Sequence, residues 1–174
     1  MPIKPFDDRT PMESSAEAIA AIEGAALLID RFGEWPLFED AEVLSLSLER
    51  GNHWWVLRTG DWERRVPDSL TVTLFVFDSM QASDALERKE SRVVLRFEGL
   101  GRCELDGFNH QNPVVALIVT FEYSPDMKSN LFAVEWGGTA LPHEVSLTCE
   151  RIQVLSVEPM EWTFDGVRYG ELSR

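Results

Sequence analysis

Apolar residues recur along this chain first with a helical period and then with an alternating one. Ile19, Ile22, Ala26 and Ile29 fall at helical spacing, and Leu28 and Phe32 widen the stripe. Ahead of them Ser14-Ser15-Ala16-Glu17 reads as a capping box, with Ser14 as the N-cap and Glu17 reaching back, while Gly24 in mid-pattern predicts a split into two short helices. From Leu44 onward the period is two. Leu44, Leu46 and Leu48 alternate with Ser45, Ser47 and Glu49, the mark of a strand with one buried face. After the turn signal Arg50-Gly51-Asn52, residues 53–57 form a short strand or an aromatic loop, and 61–68 read as a loop. Leu70, Val72, Leu74 and Val76 belong to a strand apolar on both sides, which places it centrally, and 80–90 is a polar connection.

Further on, Val93, Leu95 and Phe97 and then Cys103 and Leu105 predict a short hairpin turning at Gly99-Leu100-Gly101. Residues 115–123 and 132–136 each alternate as strands. In the next strand Val145, Leu147 and Cys149 share a parity that Ile152 and Val154 break, which a bulge near Glu150 and Arg151 would repair. Asp165-Gly166 marks a two-residue hairpin pairing Phe164 with Val167 and Trp162 with Tyr169. The expected fold is α+β: a helical N-terminal segment packed on a largely antiparallel sheet, curved or two-layered, because the connections are too short for crossover helices. Residues 1–13, proline-rich and aperiodic, are expected to be an N-terminal arm, and 14–174 a single domain.

The helical and alternating regimes meet at Phe32-Gly33-Glu34-Trp35-Pro36-Leu37-Phe38-Glu39-Asp40-Ala41-Glu42-Val43. Gly33 can take the positive φ that closes a helix, and Pro36 holds Trp35 extended, so the chain leaves sharply. Trp35 and Phe38 are expected to wedge helix against sheet, with Trp35 substantially buried. Counting back in phase from Leu44 places Asp40 and Glu42 on the leucine side, where carboxylates need donors or a solvated rim.

Charge narrows the function classes. The net charge of -14 opposes nucleic acid as a ligand, since phosphate binding needs a basic face. Half of that charge lies in the first 50 residues, where 11 acidic side chains face 4 basic ones. Such a surface can attract a basic partner or serve solubility alone. No apolar run approaches the roughly 20 residues of a membrane helix and no secretory pattern opens the chain, so a cytoplasmic protein is expected. Cys103 and Cys149 sit on apolar parities and read as small core residues. The chain carries no Gly-x-Ser-x-Gly elbow, phosphate loop, His-Glu-x-x-His or Cys-x-x-Cys; no enzymatic activity, cofactor or metal is expected.

The segment from Phe32 to Val43 resembles the signature Phe-Gly-x-Trp-Pro-x-Phe-x-Asp-Ala-Glu-Val of the Immunity protein 50 family, bacterial proteins associated with polymorphic toxin systems. Gly107-Phe108-Asn109-His110-Gln111-Asn112 is similar to that family's Phe-Asn-x-Gln-Asn element, with the Arg96-Phe97 strand between the two. Glu39 departs from the pattern, which has His before Asp-Ala-Glu. The resemblance implies a protein that binds and occludes a cognate toxin.

Asp40, Glu42, Asn109, Gln111 and Asn112 form the candidate polar constellation. Carboxylates accept and amides donate, so the five residues suit either a closed network that holds the corner or a partner surface. Trp54, Trp55, Trp162 and Tyr169 are the candidate aromatic partner surface. Two other classes stay open: a non-catalytic ligand-binding or structural domain, if the aromatic segment 53–55 lines a pocket, and an enzyme built on Asp40 and Glu42.

Overall fold

The computed structural model describes residues 13–39, 41–56, 61–76, 90–106, 113–114, 116–125, 128–137, 144–160, 163–164 and 167–168. Among them the chain forms two short helices and mostly antiparallel strands. In order these are α1 (Ala16–Ala21), α2 (Ala25–Phe32), β1 (Ala41–Glu49), β2 (Asn52–Val56), β3 (Asp61–Val66), β4 (Ser69–Val76), β5 (Ser91–Glu98), β6 (Cys103–Asp106), β7 (Pro113–Val114), β8 (Ala116–Ser124), β9 (Ser129–Gly137), β10 (Glu144–Cys149), β11 (Arg151–Pro159), β12 (Thr163–Phe164) and β13 (Val167–Arg168).

Gly24 divides the helical segment at φ 76°, and Gly33 closes α2 at φ 91° with its N–H on the Ile29 carbonyl, both as the sequence predicts. The N-cap lies one residue later than predicted. Ser15 accepts from the Ala18 N–H at 3.0 Å, whereas the Ser14 hydroxyl is turned to the sheet, accepting from the Val119 N–H at 3.0 Å.

Two main sheets form, in the orders β11-β5-β4-β1-β7 and β6-β10-β9-β8. They enclose one core. Leu70, Val72, Leu74, Val93, Leu95 and Phe97 from the first meet Leu117, Val119, Val134, Trp136 and Leu147 from the second, and the Phe97 and Trp136 rings lie 6.2 Å apart. The predicted hairpin at 93–105 and the predicted bulge near Glu150 are both corrected by this arrangement. β5 pairs β11 in one sheet while β6 pairs β10 in the other, so an antiparallel pair passes together from sheet to sheet. Across the bend the Glu150 N–H donates to the Glu98 carbonyl, the Gly101 N–H to the Thr148 carbonyl and the Thr148 N–H to that of Arg102, each at 2.9 Å. Because the two sheets present their core faces from opposite sides, crossing at Glu150 reverses the inward parity. That reversal is what the sequence displays between Cys149 and Ile152.

β7 and β8 make a second crossing. β7 pairs β1, and β8 pairs β9. The ladders β1·β4, β4·β5, β5·β11 with β6·β10, β10·β9, β9·β8 and β7·β1 therefore return to their starting point, and the strands close a ring. The open edges of the two sheets meet the N-terminal segment. The Ser15 N–H donates to Val119 on β8, while Glu23, between the helices, donates to the Ile152 carbonyl and accepts from the Val154 N–H on β11. Ala18, Ile22, Ala25 and Leu28 are buried in the common core.

Residues 61–66, read from sequence as loop, form β3 and pair with β2. At the base of this hairpin the Gly51 N–H donates to the Asp68 carboxylate at 2.7 Å, and a Cβ on Gly51 would lie 2.1 Å from the Val66 carbonyl oxygen. The Asp68 carbonyl in turn accepts from Gly99 at the bend. Phe164 pairs Val167 as predicted; Trp162, Tyr169 and the expected N-terminal arm up to residue 12 lie outside the described residues.

Candidate interaction site

The junction around Pro36 is built from the inside out. Phe38 is fully buried and takes φ 59°, a left-handed conformation that an aromatic residue rarely adopts, at a cost of order 1–3 kcal/mol. Its carbonyl accepts from the Ala41 N–H at 3.0 Å, tightening the turn into β1. The Trp35 ring stands edge-on to Phe38 at 5.7 Å and is half-buried against the core. Its indole N–H, like that of Trp136, is buried without an acceptor.

Past the turn, Ala41 pairs Val114 and Glu42 pairs Pro113. The residues directly following the second family-like segment thus lie hydrogen-bonded beside the end of the first, although they are about 70 positions apart in the chain, a closure across β strands that only long-range pairing can make. Asp40, Asn109, Gln111 and Asn112 lie outside the described residues, so among the polar candidates the structure places Glu42.

It places Glu42 on the face opposite to the one predicted. A bulge between Val43 and Ser45 inserts Leu44 as an extra residue, so Val43, Leu46 and Leu48 share the row parity of Leu74, Val72 and Leu70. Glu42, half-buried, instead pairs the fully buried Phe75 on the face away from the shared core, the face of Ser45 and Ser47, and Leu44 is left 37% exposed. In-phase counting fails here because one inserted residue exchanges the two faces.

That outer face carries a charge network the sequence reading missed. Glu49, Ser69, Glu98 and Arg151 stand in one cross-strand row, and Ser47, Thr71, Arg96 and Gln153 in the next. Glu98, only 8% exposed, accepts from Arg151 Nε at 2.8 Å and from its Nη2, and its other oxygen lies 2.9 Å from Arg96 Nε, an ion-pair contact in which the N–H is not aimed at the oxygen. Arg96 also reaches Glu49 at 3.6 Å and the Ser69 hydroxyl at 3.3 Å. Arg151 extends the chain to Glu23 at 3.5 Å, and Gln153 donates to the same carboxylate at 2.7 Å. The Glu98 hydrogen bond, first, and its charge raise the Arg151 pKa. With its oxygens engaged by two guanidinium groups, Glu98 joins strands and helix linker; arginine forks suit such a partly buried pairing. The Arg96-x-Glu98 spacing is visible in sequence, but Arg151 joins it only once register is known.

The opposite outer face, on β6-β10-β9-β8, differs. Exposed Glu104 and Glu135 flank Ser146 in one row, and Arg102 there donates to Ser146 at 3.0 Å. Among the described residues, no basic side chain is within ion-pair distance of either glutamate. For the aromatic candidates, the β2–β3 register sets Trp55 opposite Trp62 and Trp54 opposite Glu63. These strands pair only with one another among the described residues, so the hairpin that connects β1 to β4 adds no strand to their five-stranded sheet. No group of three or more metal-ligating side chains occurs among the described residues, and no helix among them is long and apolar enough to cross a membrane. Compared with known proteins, the chain matches no family model, no curated protein and no solved structure.

Proposed function

We propose that this protein is an immunity-type binder that neutralises a cognate bacterial toxin by stoichiometric occlusion in the cytoplasm, without turnover and without a cofactor. The observation that carries the reading is the pairing of Ala41–Glu42 with Pro113–Val114, which sets the end of the first segment resembling the Immunity protein 50 signature beside the two residues that directly follow the second. The charge of -14 supports a basic toxin as partner, since complementary potentials accelerate encounter and suppress wrong partners. On this reading the N-terminal helical segment is scaffold, braced on the sheet edges. Binding energy concentrates in a few aromatic anchors, with the β2–β3 hairpin and its Trp54 and Trp55 as the first candidates.

The test is co-expression with the toxin encoded beside this protein's gene. Protection that scales with the amount of the protein, and that drops when Trp54 and Trp55 are both replaced by alanine, supports the reading. Failure to protect against any neighbouring toxin contradicts it.

A further inference from the structure

Among the described residues, the N-terminal segment caps part of two long sheet edges, and a third, short edge carries no neighbouring strand. On β8 the Ser15 N–H and Ser14 hydroxyl take up the main-chain groups of Val119, and on β11 the main chain of Glu23 takes up those of Ile152 and Val154. β6 ends the four-stranded sheet, and among the described residues no strand lies beyond it. Its free side can be identified. The Thr148 N–H donates to the Arg102 carbonyl, so the alternation of an antiparallel ladder directs the main chains of Glu104 and Asp106 toward Ser146 and Glu144 on β10. The N–H and C=O groups of Cys103 and Leu105 consequently point away from β10, toward the open side.

The side chains along that edge set the chemistry of what could pair there. Cys103 and Leu105 share the core-side rows of Leu147 and Val145, and at the margin Leu105 is still 39% exposed. Glu104 alternates with them on the outer face, in the row of Ser146 and Glu135, and is exposed. An added strand would therefore meet apolar surface on one side and the Glu104 carboxylate on the other. A four-residue strand of sequence Cys-Glu-Leu-Asp resists pairing with its own kind, because like charges would face each other.

We infer that β6 is a docking edge that takes an extended, alternately basic and apolar segment of a partner protein by strand addition. Main-chain bonds to Cys103 and Leu105 would supply affinity, and Glu104 would select the basic residues. The inference rests on the proposed function for the identity of that partner, a basic toxin, and not for the edge itself.

The probe is a short synthetic peptide alternating lysine and valine, with a glutamate–valine peptide as control, and the readout is amide hydrogen exchange in the intact protein. The expected result is that the lysine peptide slows exchange at Cys103 and Leu105 by about tenfold or more at saturation, while the glutamate peptide does not. Leu105→Pro removes one outward N–H, keeps the bonds to β10 and suits an edge position, so it should abolish the effect. Glu104→Lys should weaken it and carries the test if the proline variant fails to fold. Unchanged exchange at both amides, or equal peptide binding by Leu105→Pro, overturns the inference in favour of adsorption to an acidic surface. Undiminished toxin neutralisation by a folded Leu105→Pro overturns it as well and leaves the proposed function standing. Peptide capture by a protein that neutralises no toxin does the reverse.

Discussion

Cys149 lies fully buried where β10 ends, and burial pushes its thiol up to about 12 from an ordinary 9.0. Below pH 9 the thiol is neutral in both folded and unfolded chains, and the full stability is present. Between 9 and 12 the unfolded chain releases the proton while the folded one holds it, so stability falls as pH rises, at up to about 1.4 kcal/mol per pH unit. Urea denaturation across that window should show a shallower decline in Cys149→Ser; an identical decline would assign it to other groups. Trp35 calls for a smaller figure than its sequence context implies. Emptying a buried aromatic site costs about 3–5 kcal/mol, but a half-buried ring resting on Phe38 gives up less, and we expect Trp35→Ala to lose about 2–3 kcal/mol by chemical denaturation. A loss under about 1 kcal/mol would mean that the wedge contributes little. The core parity of Cys149 was legible from its alternation with Val145 and Leu147, and the helix-closing role of Gly33 from residue type. The face of Glu42 was not, because the bulge at Leu44 leaves no mark in an alternating run of leucines and serines.

At the scale of elements, the bend between β5 and β6 depends on Gly99, which holds φ 68°. A Cβ there would meet the Glu150 Cβ at 2.9 Å and its carboxylate at 2.6 Å, at the point where the paired strands cross between sheets. Gly99→Ala should therefore destabilise the fold by about 1–3 kcal/mol, combining left-handed strain with displacement of Glu150. Thermal unfolding with an unchanged midpoint would show that the bend tolerates a side chain. Two readings failed at this same bend, the hairpin at 93–105 and the bulge near Glu150. Period two locates strands and their faces, but the sheet each strand joins is decided by long-range pairing that local pattern does not encode. The strand 61–66 escaped for a related reason: Asp61, Glu63, Arg64 and Arg65 lack an apolar alternation, and pairing with β2 supplies the register. For the candidate site, the sequence offered two motif-like segments and no means of relating them; the β1–β7 ladder sets the end of the first beside the residues that follow the second.

Across the whole molecule the charge of -14 is unevenly compensated. On the β11-β5-β4-β1 face Glu23, Glu49, Glu98 and Glu158 have arginine partners, whereas the face carrying Glu104 and Glu135 has no such pairing among the described residues. Association with a basic toxin should accordingly slow as ionic strength rises from low to moderate, while the dissociation rate of a well-packed complex changes little. Stopped-flow kinetics over a salt series checks this, and a salt-independent association rate would contradict electrostatic steering. Stoichiometric occlusion is tested by titrating purified toxin, at a concentration well above the dissociation constant, with this protein while toxin activity is recorded. Occlusion predicts a linear loss of activity that reaches its floor near one equivalent. Full inactivation by a small fraction of an equivalent, continuing with time, would reveal turnover and contradict it.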